Sequence, residues 1–490
     1  MSASSNLKQK AVSGMIWTAL QKYSTILIQF ISGIILARLL TPYDYGCIGM
    51  LTIFMMLAQT FIDGGFGSAL IQKKRPTQTD YSSIFWWNMG MAVVMYAVLF
   101  ASAPAISRFY KIPLLSKVLR VQGLILFIYA FNIIQQNQLR KNLNFRLLSV
   151  VTITTSILSL SVTIWMAYRG YGVWSLVSQN IISAAIPAMV FWFTVKWRPQ
   201  FTFSTQSFRE LFGFGFYMFL THFINEFGKQ IQGLLIGKFY DPSTLGYYSK
   251  ARNTERLTSS SISQVMLQVT YPLYAEVQDD KELMANMIKR TTTTLAYISF
   301  PLIFILMLCA EPLFVLLYSD RWVQCVPFFQ ILCFSGLAEC LQAVNTQAIA
   351  AIGKSRTMFR WTVLKRIVGL GFVVSGLILF GMKGLLYGVV LNYWFAYAVN
   401  IGLVSKYIGY KWWMQLRHIT PVILVATTAM IAGYVVSRML SLPMYPTGAV
   451  RVVVYLSVYL GWSIIFKPNV YVYFKDLLSV LIDKVIKRKN

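Results

Sequence analysis

The chain has 490 residues, 57% of them hydrophobic and 15% aromatic, with a mean hydropathy of +0.58. Only 12% are charged, against about 25% in soluble domains, which excludes a soluble globular protein and points to a polytopic membrane protein. The net charge of +28 raises nucleic acid as a partner, but the cations lie between apolar stretches rather than on one face, so they report topology instead.

Apolar runs of about 17 to 25 residues predict roughly fourteen spanning helices. The first, from Val12 to about Leu36, is too long for a cleavable signal peptide and lacks a small-residue cleavage site, so it stays as a helix. It carries Lys22, Thr25, Gln29 and Ser32. The second span holds Asp63 within FIDGGFGS, where the glycines indicate a broken or closely packed helix of the kind found at hinge and coupling points. Between the third and fourth spans lie Arg108, Lys111, Lys117 and Arg120.

Span seven carries His222, Asn225, Glu226, Lys229 and Gln232. Steps of three and four residues put His222, Glu226 and Lys229 on one helical face. Either Glu226 and Lys229 neutralise each other, or the stripe lines an aqueous chamber. Span eight begins YYSKARNTERLTSSSISQ, with Arg252, Glu255, Arg256, Ser259 and Ser263 on one side. Lys250 and Arg252 are either interfacial or part of that chamber; Arg256 is deeper. Glu339 in span ten has no obvious partner. Lys365 and Arg366 enter span eleven about one and a half turns in, where they snorkel to the surface or face inward. After the last span, the segment from about 470 onward has apolar residues at helical spacing and ends KRKN, an amphipathic helix on the inner leaflet.

Cys47, Cys309, Cys325, Cys333 and Cys340 lack metal-type or paired spacing and read as packing residues. The loops are short, and none houses a separate catalytic domain.

An internal repeat organises the chain. Residues 21–46, QKYSTILIQFISGIILARLLTPYDYG, align without a gap to 221–246, THFINEFGKQIQGLLIGKFYDPSTLG. Gly33 falls on Gly233, Arg38 on Lys238, Pro42 on Pro242 and Gly46 on Gly246. Six spans per copy make the repeats parallel, related by an axis along the membrane normal. The expected organisation is 1–200 and 201–410 for the two six-helix repeats, 411–467 for two extra helices and 468–490 for the tail. Lys and Arg concentrate at alternate loop ends, which places both termini in the cytoplasm. The loop with Arg108, Lys111, Lys117 and Arg120 is the exception.

Ionisable groups inside spans are costly and face a cavity or a partner. The cations Lys22, Lys229, Arg252, Arg256, Lys365 and Arg366 outnumber the acids able to pair with them, so a chamber lined by them attracts an anion, and Arg suits phosphate. Asp63, His222, Asn225, Glu226, Glu255 and Glu339 are the polar and coupling candidates, with H+ or Na+ as the ion. No cofactor is expected.

Six stretches in order, ARLLTPYDYG, QNQLRKNLNFR, YGVWSLV, VTYPLYAEVQDD, LLYSDRWVQCVPFFQIL and AAIGKSR, resemble the polysaccharide flippases of the Wzx and colanic-acid exporter type. That family lies in the superfamily that also holds lipid II flippases and multidrug antiporters. Each stretch alone is weak, but six in the family's order are fairly specific, and the resemblance covers nearly the whole chain. Asp320 departs from the Gly more usual in the fifth stretch. The resemblance implies an all-α, V-shaped bundle of two six-helix lobes with two extra helices. It also implies that an undecaprenyl-pyrophosphate-linked oligosaccharide crosses the bacterial inner membrane by alternating access, for surface polysaccharide such as capsule or lipopolysaccharide. Polymerase or export machinery would be its partners. The competing readings are a cation-coupled multidrug antiporter, which wants an acidic cavity, a polysaccharide polymerase or ligase, which wants large outer loops or catalytic acids, and a channel.

Overall fold

A computed structural model describes residues 2–466, and the tail expected over 468–490 lies outside the described residues. The described chain is helical, with no strand. In order the helices are α1 (Ser2–Leu39), α2 (Pro42–Asp63), α3 (Phe66–Gln72), α4 (Gln78–Tyr110), α5 (Leu114–Gly123), α6 (Ile125–Lys141), α7 (Phe145–Tyr168), α8 (Val173–Thr194), α9 (Thr205–Phe239), α10 (Pro242–Glu276), α11 (Lys281–Leu308), α12 (Ala310–Tyr318), α13 (Cys325–Ala351), α14 (Ser355–Ile408), α15 (Trp412–Met439) and α16 (Met444–Phe466).

Among these residues, eleven helical segments are long and apolar enough to cross a membrane. One of them, within α14, breaks at Phe380 and Gly381, whose backbone leaves the helical region, so it contains two legs. The 35-residue helices α9 and α10 carry too many polar and charged residues to rank as apolar spans. The expectation of fourteen crossings requires both legs of α14, with α9 and α10 added.

The chain divides into two compact units, one ending at Ser249 and one beginning at Lys250. The boundary falls inside α10. α9, the first span of the second sequence repeat, therefore groups with the first unit, where α2, α3 and α4 pack along it.

In the first unit, local chemistry sets the helix starts. Thr41 caps α2, with its side chain accepting from the Asp44 N–H, while the Asp44 carboxylate accepts from the Thr41 N–H at 2.9 Å. Pro42 sits in the first turn, where its missing N–H costs nothing. The repeat uses the same pair in reverse order, for the Thr244 hydroxyl donates to Asp241 across Pro242. The two matching turns then meet. A Cβ added to Gly46 would overlap the carbonyl of Pro242, and one added to Gly246 would overlap the carbonyl of Pro42. Only glycine allows two backbones this close.

α2 ends where sequence reasoning placed a break. Gly64 and Gly65 have φ of 54° and 76°, the left-handed region that favours glycine. The break seats against α9, because a Cβ on Gly65 would overlap the Gly215 carbonyl. Phe66, Leu70, Ile84, Phe85 and Leu211 form the core beneath it. The connection after α8 is strapped to α4. Ser82 accepts from the Gln200 N–H at 3.0 Å, Ser83 from the Ser204 N–H at 2.9 Å, and Trp86 donates to the Gln200 carbonyl at 2.8 Å.

The second unit is built round α11 and α13, with a core of Tyr274, Met284, Ile288, Leu295, Val344 and Val404. The two legs of α14 touch through glycines. A Cβ on Gly376 would overlap the Gly384 carbonyl, and one on Gly384 would overlap that of Gly376. Small residues let membrane helices approach this closely. The extra helices dock by polar contacts. Arg451 on α16 donates to the Leu308 carbonyl at 2.9 Å and to Ser437 at 3.0 Å, and Tyr459 donates to the Tyr297 carbonyl at 3.1 Å.

Candidate functional site

The sequence-derived candidates divide between the two units. In the first, α1 carries Lys22, half-buried, and α9 carries His222, Asn225, Glu226 and Lys229. Lys229 Nζ lies 2.6 Å from Glu226 Oε1, yet 48% of the Lys229 side chain stays exposed. Three residues of helix bring the pair together, so mutual neutralisation and an open position coexist in one arrangement.

Asp63 terminates α2 at the double-glycine break. Its carboxylate is directed at the backbone N–H groups of Gly65 and Gly67, within electrostatic reach of His222 on α9 and Arg140 on α6. A Cβ on Gly67 would stand 2.9 Å from Asp63 Oδ1 and 3.0 Å from Asn137 Nδ2, so this glycine keeps a small space open beside both polar groups. Asn137 itself is buried.

The second unit gathers the densest polar cluster. Arg252 on α10 donates from Nη1 to Glu255 Oε2 at 2.9 Å and to Ser335 Oγ on α13 at 3.0 Å. Its Nη2 donates to the Tyr393 hydroxyl on the second leg of α14 and lies 3.9 Å from Glu339 Oε2. Three elements thus converge on one guanidinium, whose planar fork suits several oxygens at once. Glu255 is 3% exposed, and a Cβ on Gly336 would overlap its Oε1. That glycine leaves room for the carboxylate.

Next to Glu255 in sequence, Arg256 is exposed. Lys365 on the first leg of α14 donates to Asn400 Oδ1 at 2.9 Å, and the Asn400 amide donates to Thr346 on α13 at 2.9 Å. Arg366 beside it is half-buried. Lys250 lies 3.9 Å above the Tyr318 ring and 5.5 Å from that of Trp322, an interior cation–π setting rather than an interfacial one.

The structure therefore brings Arg252, Glu255 and Glu339 together, and Glu226 with Lys229. Sequence reasoning missed Ser335, Gly336, Tyr393, Asn400 and Thr346. Ser335, Gly336 and Glu339 share a helical face by their spacing, which was a usable signal; Tyr393, 141 residues from Arg252, gave none. Among the described residues no group of three or more His, Cys, Asp or Glu is placed to hold a metal ion.

Comparison with known proteins adds to this geometry. Residues 35–327, more than half of the chain, match the family described as "Polysaccharide biosynthesis protein". The succinoglycan biosynthesis transport protein ExoT of Rhizobium meliloti is 25% identical over 74% of this chain and 73% of its own. The lipopolysaccharide biosynthesis protein WzxC of Escherichia coli is 22% identical over 79% of each. Among solved structures, the lipid II flippase MurJ in its inward closed conformation superposes with a TM-score of 0.72 at 14% identity, covering 95% of this chain and all of that one. The last likeness establishes a shared fold.

Proposed function

The chain belongs to the polysaccharide biosynthesis protein family, and from that membership we propose that it is a transporter for lipid-linked oligosaccharide. Its work is to move the anionic head group, an undecaprenyl-pyrophosphate-linked glycan unit, from the inner to the outer leaflet of a bacterial cytoplasmic membrane. The names of its relatives, one a transport protein and one of the Wzx type, support this reading, as does a fold shared with a lipid flippase. Both termini lie in the cytoplasm in this scheme, following the distribution of Lys and Arg.

The observation that carries the proposal is the pair of basic side chains left exposed on α9 and α10, two long helices rich in polar residues. Lys229, paired with Glu226, and Arg256 are exposed on α9 and α10, open to an anionic partner. A pyrophosphate supplies that partner, and Lys and Arg bind it as point charge and planar fork respectively. Each cation is a place for the head group during alternating access, and the lipid tail remains in the bilayer throughout. The protein performs no covalent chemistry in this scheme.

Deleting the gene and fractionating lipid-linked oligosaccharide by leaflet provides the test. Accumulation of one such lipid on the inner leaflet, relieved by the intact gene, is expected. Normal leaflet distribution in the deletion strain would sink the proposal.

A further inference from the structure

We infer that Glu255 and Glu339, gathered round Arg252, form a proton-loading site inside the second unit. The use of that site in transport rests on the flippase reading above; the site itself does not.

The first ground is charge. Two carboxylates share one guanidinium, at 2.9 Å from Glu255 Oε2 and 3.9 Å from Glu339 Oε2. With both acids ionised, the two carboxylates and the one guanidinium they share carry one negative charge in excess, offset only by the exposed Arg256 nearby. An uncompensated ion in an apolar interior is costly, and like charges sharing a site resist joint ionisation. The second ground is an orphaned atom. Glu255 is 3% exposed, and its Oε1 has no hydrogen-bond partner among the described residues. That oxygen points at α13, where Gly336 provides the space it occupies. Glu339 Oε2 likewise has no hydrogen-bond partner among them.

A proton suits this place better than a metal ion. The guanidinium already stands against both carboxylates, so a bare cation bound between them would face a like charge at close range. A proton needs no ligand shell. It converts one carboxylate to a neutral acid and leaves the ion pair to the other. The remaining groups facing the pair are Arg256 and Ser259 on α10, Cys333 and Cys340 on α13, and Tyr393 on α14. None adds a third carboxylate.

The side-chain exposures divide the labour. Glu339 is 26% exposed and Glu255 2%. Glu339 takes a proton from water, and Glu255 stores it at Oε1. Loading forms one O–H bond as the proton leaves its water-borne donor. Unloading breaks that bond and returns the proton to water. With Glu255 neutral, its hold on Arg252 Nη1 loosens, while Ser335, Tyr393 and Glu339 still engage the guanidinium.

Infrared difference spectroscopy of the full chain in lipid vesicles without substrate, stepped between about pH 5 and pH 9, tests the site directly. The wild type should show a carboxylic-acid band that disappears in Glu255→Gln and remains in Glu255→Asp. Glu339→Gln should keep the band and shift its midpoint by about one pH unit. Melting curves verify that each variant is folded. The inference is overturned by equal spectra in wild type and Glu255→Gln, or by a band that responds to Na+ at constant pH. Glycan export in the deletion strain separates the two claims. A Glu255-dependent band in a protein whose loss leaves leaflet distribution normal removes the flippase reading alone. A missing band with intact glycan export removes the proton site alone.

Discussion

Gly46 and Gly246 close on each other's turns. Each occupies the same place in its repeat, and each lies where any Cβ would collide with the proline carbonyl of the other copy, Pro242 for Gly46 and Pro42 for Gly246. The contact is reciprocal and made by main-chain atoms, as expected where a two-fold pseudo-symmetry axis passes close by.

Alanine at either position should therefore part the turns. Cys47, buried beside Gly46, reports the opening. In a variant with Cys47 as the sole cysteine, Gly46→Ala or Gly246→Ala should raise maleimide labelling about tenfold, the change that ~1.4 kcal/mol of local destabilisation produces. Unchanged protection would show that the turns separate without effort.

Replacing Arg252 by Ala strands two acids in the interior of the second unit. Removing one partner from a buried ion pair costs about 3–5 kcal/mol. A large fall in melting temperature is expected, and it should be mostly recovered when Glu255→Gln and Glu339→Gln are added. A melting temperature equal to wild type for Arg252→Ala alone would mean that the cluster is well hydrated.

Lys229→Ala and Arg256→Ala should behave differently. Both side chains are exposed, so each substitution should alter stability by no more than about 0.5 kcal/mol. Surface polysaccharide should nonetheless be lost in both, with the protein present in the membrane at normal amount. Normal polysaccharide would remove these two residues from the head-group site.

The hairpin inside α14 depends on Gly376 and Gly384 facing each other's carbonyls. Gly384→Val should separate its legs and cost about 1–3 kcal/mol, the usual penalty for overpacking. Thermal melting in detergent measures this directly. Gly371 has nothing within 4 Å of an added Cβ, so Gly371→Ala should leave the melting temperature unchanged.

What the sequence revealed follows from how far its signals reach. Hydropathy and the gapless alignment of 21–46 with 221–246 exposed the helical class and the duplication, because both are local patterns. FIDGGFGS disclosed the end of α2, since glycines with positive φ announce themselves. The Glu226–Lys229 pair was visible for the same reason, three residues apart on one helix. Tyr393 and Ser335 were hidden, because their contact with Arg252 depends on how α10, α13 and α14 pack. Lys250 admitted either interface or chamber, since nothing local foretold that Tyr318 and Trp322 would lie against it. The division at Ser249 also escaped, for packing grouped α9 with the first unit across the repeat boundary.

The strap of Ser82, Ser83 and Trp86 on residues 200–204 has a mechanical corollary. A loosely tethered linker would absorb displacement like slack in a rope; this one has little to give. Whatever tilts α9 must pivot beyond Ser204 or drag α4 with it, which makes that short anchorage a fulcrum.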